Sequence, residues 1–194
     1  MRISIGAAVA ALALLATTGV ARADTPPDPL ATFQQLCVAN QAVSARIAAQ
    51  ADASGWGPAP VDAAASMKIT DPVARMKTTA GVTNFLFLGK LPLPMVKTTP
   101  INADVCLVIA KPVDAAAVAT ATAAWIGLPP SKVDAGAGVS AYAFTEDRQG
   151  RHALANPDPG DAEAVALVRS GKLRLVFVLV RDDMVIIGYF VPKI

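Results

Sequence analysis

The sequence predicts an α+β fold: a single, mostly antiparallel sheet of about five to seven strands with two main helices packed on it. Three observations carry this. Short apolar runs recur along the chain, most plainly at residues 104–110, 172–180 and 184–191. Two longer stretches, 30–53 and 113–126, hold no glycine or proline and carry apolar residues at helical spacing. The strand-like runs also follow one another in hairpin fashion, which points to antiparallel pairing.

The chain begins with Met1-Arg2, an uncharged apolar stretch from residue 3 to 20, and Ala21-Arg22-Ala23. A positive start, an apolar centre and an A-x-A site are the pattern of a secretory signal. Cleavage is expected between Ala23 and Asp24, giving a signal peptide over 1–23 and a single exported domain over 24–194. No cysteine adjoins the cut, so no lipid anchor is expected there. Removal of Arg2 and Arg22 leaves fifteen basic and fifteen acidic residues. A chain with no net charge has no long-range field to steer a polyanion, so no nucleic-acid partner is expected. No later stretch has the length of a membrane span. The expected location is periplasmic or secreted.

Residues 24–29 hold three prolines and read as an extended leader. Asp28-Pro29 then supplies an N-cap and a proline at the first helical position. One long helix is expected over 30–53, with Phe33, Cys37, Ile47 and Ala51 on one face and Leu36 and Val43 beside it. Ser54-Gly55 ends it. Asn40 within this stripe is read as a structural polar group. Residues 55–71 read as a loop, with Trp56 packed over the helix end and a short helical turn at 62–67.

Strands are expected at 74–79 and 82–88 about an Ala80-Gly81 turn. Leu91-Pro92-Leu93-Pro94 is expected to break the run, because proline donates nothing to a ladder. A further strand at 95–99 is expected to follow. Residues 104–110 are apolar on both faces and predict a central strand. The second helix should run to Ile126, with Val118, Ala121 and Trp125 toward the core, and stop at Gly127 before Pro129-Pro130. Residues 139–145 alternate as a strand. Residues 146–160 are the most polar segment and read as a surface loop. A short helix is expected over 161–168, then a central hairpin of 172–180 and 184–191 about Arg181-Asp182-Asp183.

The two cysteines, Cys37 and Cys106, have apolar neighbours and no C-x-x-C spacing. In an oxidising compartment the simplest outcome is one structural disulfide between them. It would close a loop of about 70 residues and tie the first helix to the central strand.

Little in the sequence points to catalysis. The single histidine, His152, excludes centres that need two or more histidines. Asp147 lies five residues before it, so an acid–base pair is conceivable. No G-x-S-x-G elbow or other placed nucleophile accompanies them. Asp182-Asp183 reads as a turn, since no D-x-D-x-D spacing surrounds it. No cofactor or metal is expected. The leading expectation is a non-enzymatic exported domain that binds a small apolar ligand or an envelope protein. The alternative is a small envelope hydrolase or other enzyme using the Glu146–His152 segment.

Overall fold

A computed structural model describes residues 26–62, 67–97 and 99–194. The signal segment, with Ala23 and Asp24, lies outside the described residues, as does most of the helical turn expected at 62–67.

Among the described residues nine strands form one sheet, more than the five to seven expected. They are β1 (Gly57–Pro58), β2 (Thr70–Thr79), β3 (Val82–Leu93), β4 (Ile101–Lys111), β5 (Lys132–Asp134), β6 (Val139–Asp147), β7 (Gly150–Ala153), β8 (Leu173–Arg181) and β9 (Met184–Lys193). The order is β1-β2-β3-β4-β9-β8-β6-β5, with β7 on β6 as well. Every pairing is antiparallel. The unforeseen strands, β1, β5 and β7, have two to four residues each. That is too short for an alternating pattern to show in a sequence. The expected central strands are central: β4 lies between β3 and β9, and β9 between β4 and β8.

The β2–β3 hairpin turns at Ala80 and Gly81, with φ of 50° and 81°. Two left-handed residues make the tight loop whose twist matches the strands. β3 then departs from expectation. It does not break at Pro92 but runs on to Leu93, with Pro92 opposite Asn102 of β4. Pairing with β2 has ended at Lys90, opposite Thr70. Pro92 therefore sits where β3 has one neighbour only, which a residue without an N–H tolerates. No strand forms over 95–99 among the described residues; Pro94 and Met95 are a turn.

The first helix is not continuous. It comprises α1 (Pro29–Phe33), a wider π-helical turn (Gln34–Val38) and, after a break, α2 (Ser44–Ala53). Asp28 caps the start by accepting from the Leu30 amide at 2.9 Å. At the break Gln41 and Ala42 take φ of 52° and 54°. Asn40 compensates the interrupted ladder: its Nδ2 donates to the Leu36 carbonyl at 3.0 Å and to Gln50 Oε1 at 2.7 Å. The apolar face is nevertheless as expected. Phe33, Cys37, Ile47 and Ala51 are fully buried, and Leu36 is nearly so. Burying a Phe, Leu or Ile side chain stabilises by roughly 1.5–3 kcal/mol each.

α3 (Ala115–Ile126) is capped by Asp114, which accepts from the Ala117 amide at 2.9 Å, and ends at left-handed Gly127. Its buried stripe is Ala115, Thr122 and Ile126, with Val118 partly buried. Ala121, expected in the core, is exposed, so the stripe lies one residue further on. Thr122 is tolerated inside because its hydroxyl donates to the Val118 carbonyl at 2.8 Å. The fourth helix, α4 (Asp161–Arg169), buries Ala164 and Val168.

The sheet has two unlike faces. On one lie α1, α2 and α3, over Leu86, Leu88, Cys106, Val108, Ile187 and Tyr189. Cys37 and Cys106 meet there at disulfide-bonding distance, with their Cα atoms 5.4 Å apart. Such a pair is compatible with an oxidising compartment. The other face carries Phe87, Val105, Leu107, Phe177 and Phe190. Among the described helices only α4 packs on it, at one end, through Val168 against Ile101 and Leu173. Helices therefore do not all share one face.

Candidate functional site

The second face of the sheet forms an apolar groove. One part, of about 270 Å³, is lined by Leu91, Leu93, Ala143, Leu175, Phe177 and Phe190. A second, of about 260 Å³, adds Met67, Ile69, Val105 and Leu107 and shares Leu91, Phe177 and Phe190 with the first. Leu91 and Leu93 stand three strands away from β8 in the sheet order, yet line the same groove. The sheet thus curls around this face.

Each wall has a local cause. The continuation of β3 through Leu91-Pro92-Leu93, where a break was expected, places both leucines and builds one side. Ala141 and Ala143 on β6 are small and leave a trough beside Leu175 and Phe177. Gly188 sits directly opposite Phe177. A Cβ at Gly188 would collide with the Phe177 ring, so the missing side chain is the space in which that ring lies. Phe177 and Phe190 rings approach to 5.5 Å between centroids. The Ser131 hydroxyl, which also lines the first part, accepts from the Ala143 amide at 2.9 Å. Among the described residues the groove offers apolar contact area and almost no polar surface.

The sequence-derived candidates lie elsewhere, and the 146–160 segment is not the loop expected. Residues 150–153 pair with β6, setting Arg151 opposite Glu146 and His152 opposite Thr145. The polar residues of β7 are therefore strand residues of a local hairpin, and Arg151 adds a partner from distant sequence. Arg151 Nε donates to Glu146 Oε1 at 3.2 Å, and Nη1 to the Trp125 carbonyl at 2.7 Å. Its guanidinium stacks 3.8 Å from the Trp125 ring centre. Arg174 Nε lies 3.8 Å from Glu146 Oε2, and the Tyr189 hydroxyl donates to that oxygen at 3.5 Å. Burial, with the Glu146 charge adding to it, pushes the Tyr189 phenol up to about 12. Glu146 is thus claimed on both oxygens. This cluster clasps β6, β7, β8, β9 and α3 together on the helix-covered face.

His152 and Asp147 do meet, Nε2 to Oδ1 at 3.2 Å. The Gln149 amide at 2.9 Å lowers the Asp147 carboxyl most, with His152 next. Lys172 Nζ stands 3.5 Å from its other oxygen. The histidine side chain is 48% exposed. No hydrogen bond joins it to Thr145, the hydroxyl on the opposing strand. The pair is therefore an open edge contact rather than an enclosed acid–base site. Asp183 turns the β8–β9 hairpin, and its carbonyl accepts from the Val113 amide at 2.8 Å, anchoring the approach to α3.

Among the described residues no group of three His, Cys, Asp or Glu is placed to hold a metal. No described helix is long and apolar enough to cross a membrane. Comparison of the chain with protein families, with curated proteins and with solved structures finds no match. The groove residues were not singled out by the sequence. The available signal was the coincidence of apolar residues on both faces of 172–180 and 184–191 with too few helices to cover both.

Proposed function

We propose that the protein is an exported, non-enzymatic binding domain that takes a single uncharged hydrocarbon chain along the groove of its second sheet face. The observation that carries this reading is the groove itself, apolar from Met67 to Ala143 and with almost no polar surface among the described residues. Two adjoining spaces of about 270 and 260 Å³ suit a slender ligand; pockets for small molecules span roughly 300–1,000 Å³. A charged headgroup has no partner inside, so it would have to remain in water. Contact with Leu91, Leu175, Phe177 and Phe190 would supply affinity through burial of apolar area.

The test is titration with the neutral fluorophore N-phenyl-1-naphthylamine, followed by displacement with 1-dodecanol. Saturable fluorescence that dodecanol displaces is expected. Ala143→Trp, which fills the trough from β6, should weaken binding at least tenfold while the protein stays folded. Absence of saturable binding, or full binding by the folded Ala143→Trp variant, would contradict the reading.

A further inference from the structure

A second cavity, on the opposite face of the sheet, has a different chemistry. It has a volume of about 210 Å³ and lies between α1, the end of α2 and the β2–β3 hairpin. Asn84 and Lys77 stand side by side on its floor, since they are directly opposed across the hairpin. Trp56 and Gln35 form walls, and Thr79 and Thr32 add hydroxyls.

Asn84 is the anomaly. It is 2% exposed and occupies the row Val82, Asn84, Leu86, Leu88, whose other members are buried and apolar. Its Oδ1 has no hydrogen-bond partner. An unsatisfied buried amide is costly, and an apolar residue of similar shape would avoid that cost. Lys77 Nζ donates to the Ser54 carbonyl at 2.7 Å, which fixes the ammonium at the cavity. Among the described residues no carboxylate pairs with it. An ammonium retains two further donors after that bond.

We infer that this cavity is a binding site for a small carboxylated sugar of the hexuronate type, with a ring hydroxyl donating to Asn84 Oδ1, the carboxylate meeting Lys77 and a ring face lying on Trp56. Each group on the page asks for one feature of such a ligand. The orphaned amide oxygen requires a donor. The unpaired ammonium favours an anion. The indole offers a flat apolar surface with a polar rim around it. The volume is that of one substituted ring. A neutral hexose would leave the ammonium unpaired, and a simple carboxylate would leave Asn84 unsatisfied. The site shares no residue with the groove, so its occupation is independent of the hydrocarbon reading.

Calorimetric titration of the full mature chain with D-galacturonate and D-glucuronate, against D-galactose and D-glucose, tests it. At least one uronate should bind saturably, with Kd on the order of 1 mM, and at least tenfold more tightly than its neutral counterpart. Lys77→Met, at a partly buried position, should abolish that preference. Asn84→Leu should weaken uronate binding at least tenfold while leaving the melting temperature unchanged or raised. No saturable uronate binding, equal binding of neutral sugars, or full affinity in both variants would overturn the assignment.

Discussion

The two faces of the sheet are built from the same strands yet end in different states. The helix-covered face seals its apolar layer: α1, α2 and α3 lie on it, the cysteine pair crosses to it, and Leu86, Leu88, Val108 and Ile187 are almost without solvent contact, which leaves only the polar cavity at the β2–β3 end. The other face covers itself with its own large side chains and leaves a groove over Leu175 and Phe177, both partly exposed. The difference follows from supply. Forty of the 194 residues are alanine, and many of these make helices that pack closely but add little apolar area. Three helical segments suffice for one face, and α4 reaches only one end of the other. Where coverage stops, apolar area remains available to a ligand.

The largest expected effect comes from placing a carboxylate on each face in turn. Val178 lies in the sealed layer at 2% exposure, and Val178→Asp should leave no cooperative unfolding transition. Phe177, the next residue, points into the groove. Phe177→Asp should remain folded, because its carboxylate can reach water, while losing the apolar fluorophore site. Circular dichroism melts of both variants check this. Equal unfolding by both would show that the second face is as closed as the first.

Reduction of the cysteine pair should follow in size. Cys37 and Cys106 are separated by 69 positions, and a disulfide across a loop of that length contributes about 2–4 kcal/mol. A fall in melting temperature of roughly 5–15 °C on reduction is expected for a domain near this size. Two free thiols per chain in the denatured, non-reduced mature protein would refute the bond.

A smaller effect is confined to alkaline pH. The Tyr189 phenol is raised from its ordinary value near 10 to about 12 by burial and by Glu146. The unfolded chain therefore releases this proton first. The contribution is fully present below pH 10 and lost as pH rises toward 12, up to about 3 kcal/mol. Tyr189→Phe should flatten that part of the stability profile, measured by urea unfolding between pH 9 and 12. An unchanged alkaline loss would show that Tyr189 ionises as freely as an exposed phenol.

His152→Ala should do least. The side chain is half exposed and its contact with Asp147 lies on an edge strand, so a stability change within about 0.5 kcal/mol is expected at neutral pH. A loss of several degrees in melting temperature would make His152 part of the Glu146 clasp.

The contrast between the faces was only half legible in the amino-acid order. β4, β8 and β9 could be read because apolar residues on both sides of a strand demand a central position. The buried face of the first helix was legible from periodicity, and the approach of Cys37 to Cys106 from the expectation of an oxidising compartment with no third cysteine. The break at Asn40-Gln41-Ala42 was not, because no glycine or proline marks it and Asn40 supplies the compensation only once Gln50 has folded back. Pro92 misled for a related reason: whether a proline ends a strand depends on whether a second neighbour is present, which is a tertiary fact. β7 and the Glu146 clasp draw on Trp125, Arg174 and Tyr189, whose proximity no local pattern announces. Asn84 carried a visible signal, one amide in an otherwise apolar alternating row, but its missing partner emerges only from the packed structure. The groove is hardest of all to read, since it exists through what α4 fails to cover.

The central claim is that the apolar layer of the sheet is sealed beneath the helices on one face and open to a hydrocarbon ligand on the other. Methyl NMR of the folded protein during titration with 1-dodecanol tests it most directly. The account predicts saturable shifts at Leu91, Leu93, Leu175 and Met67, with Leu36, Leu86 and Leu88 unmoved. Shifts centred on the helix-covered leucines, or none at any methyl, would contradict it.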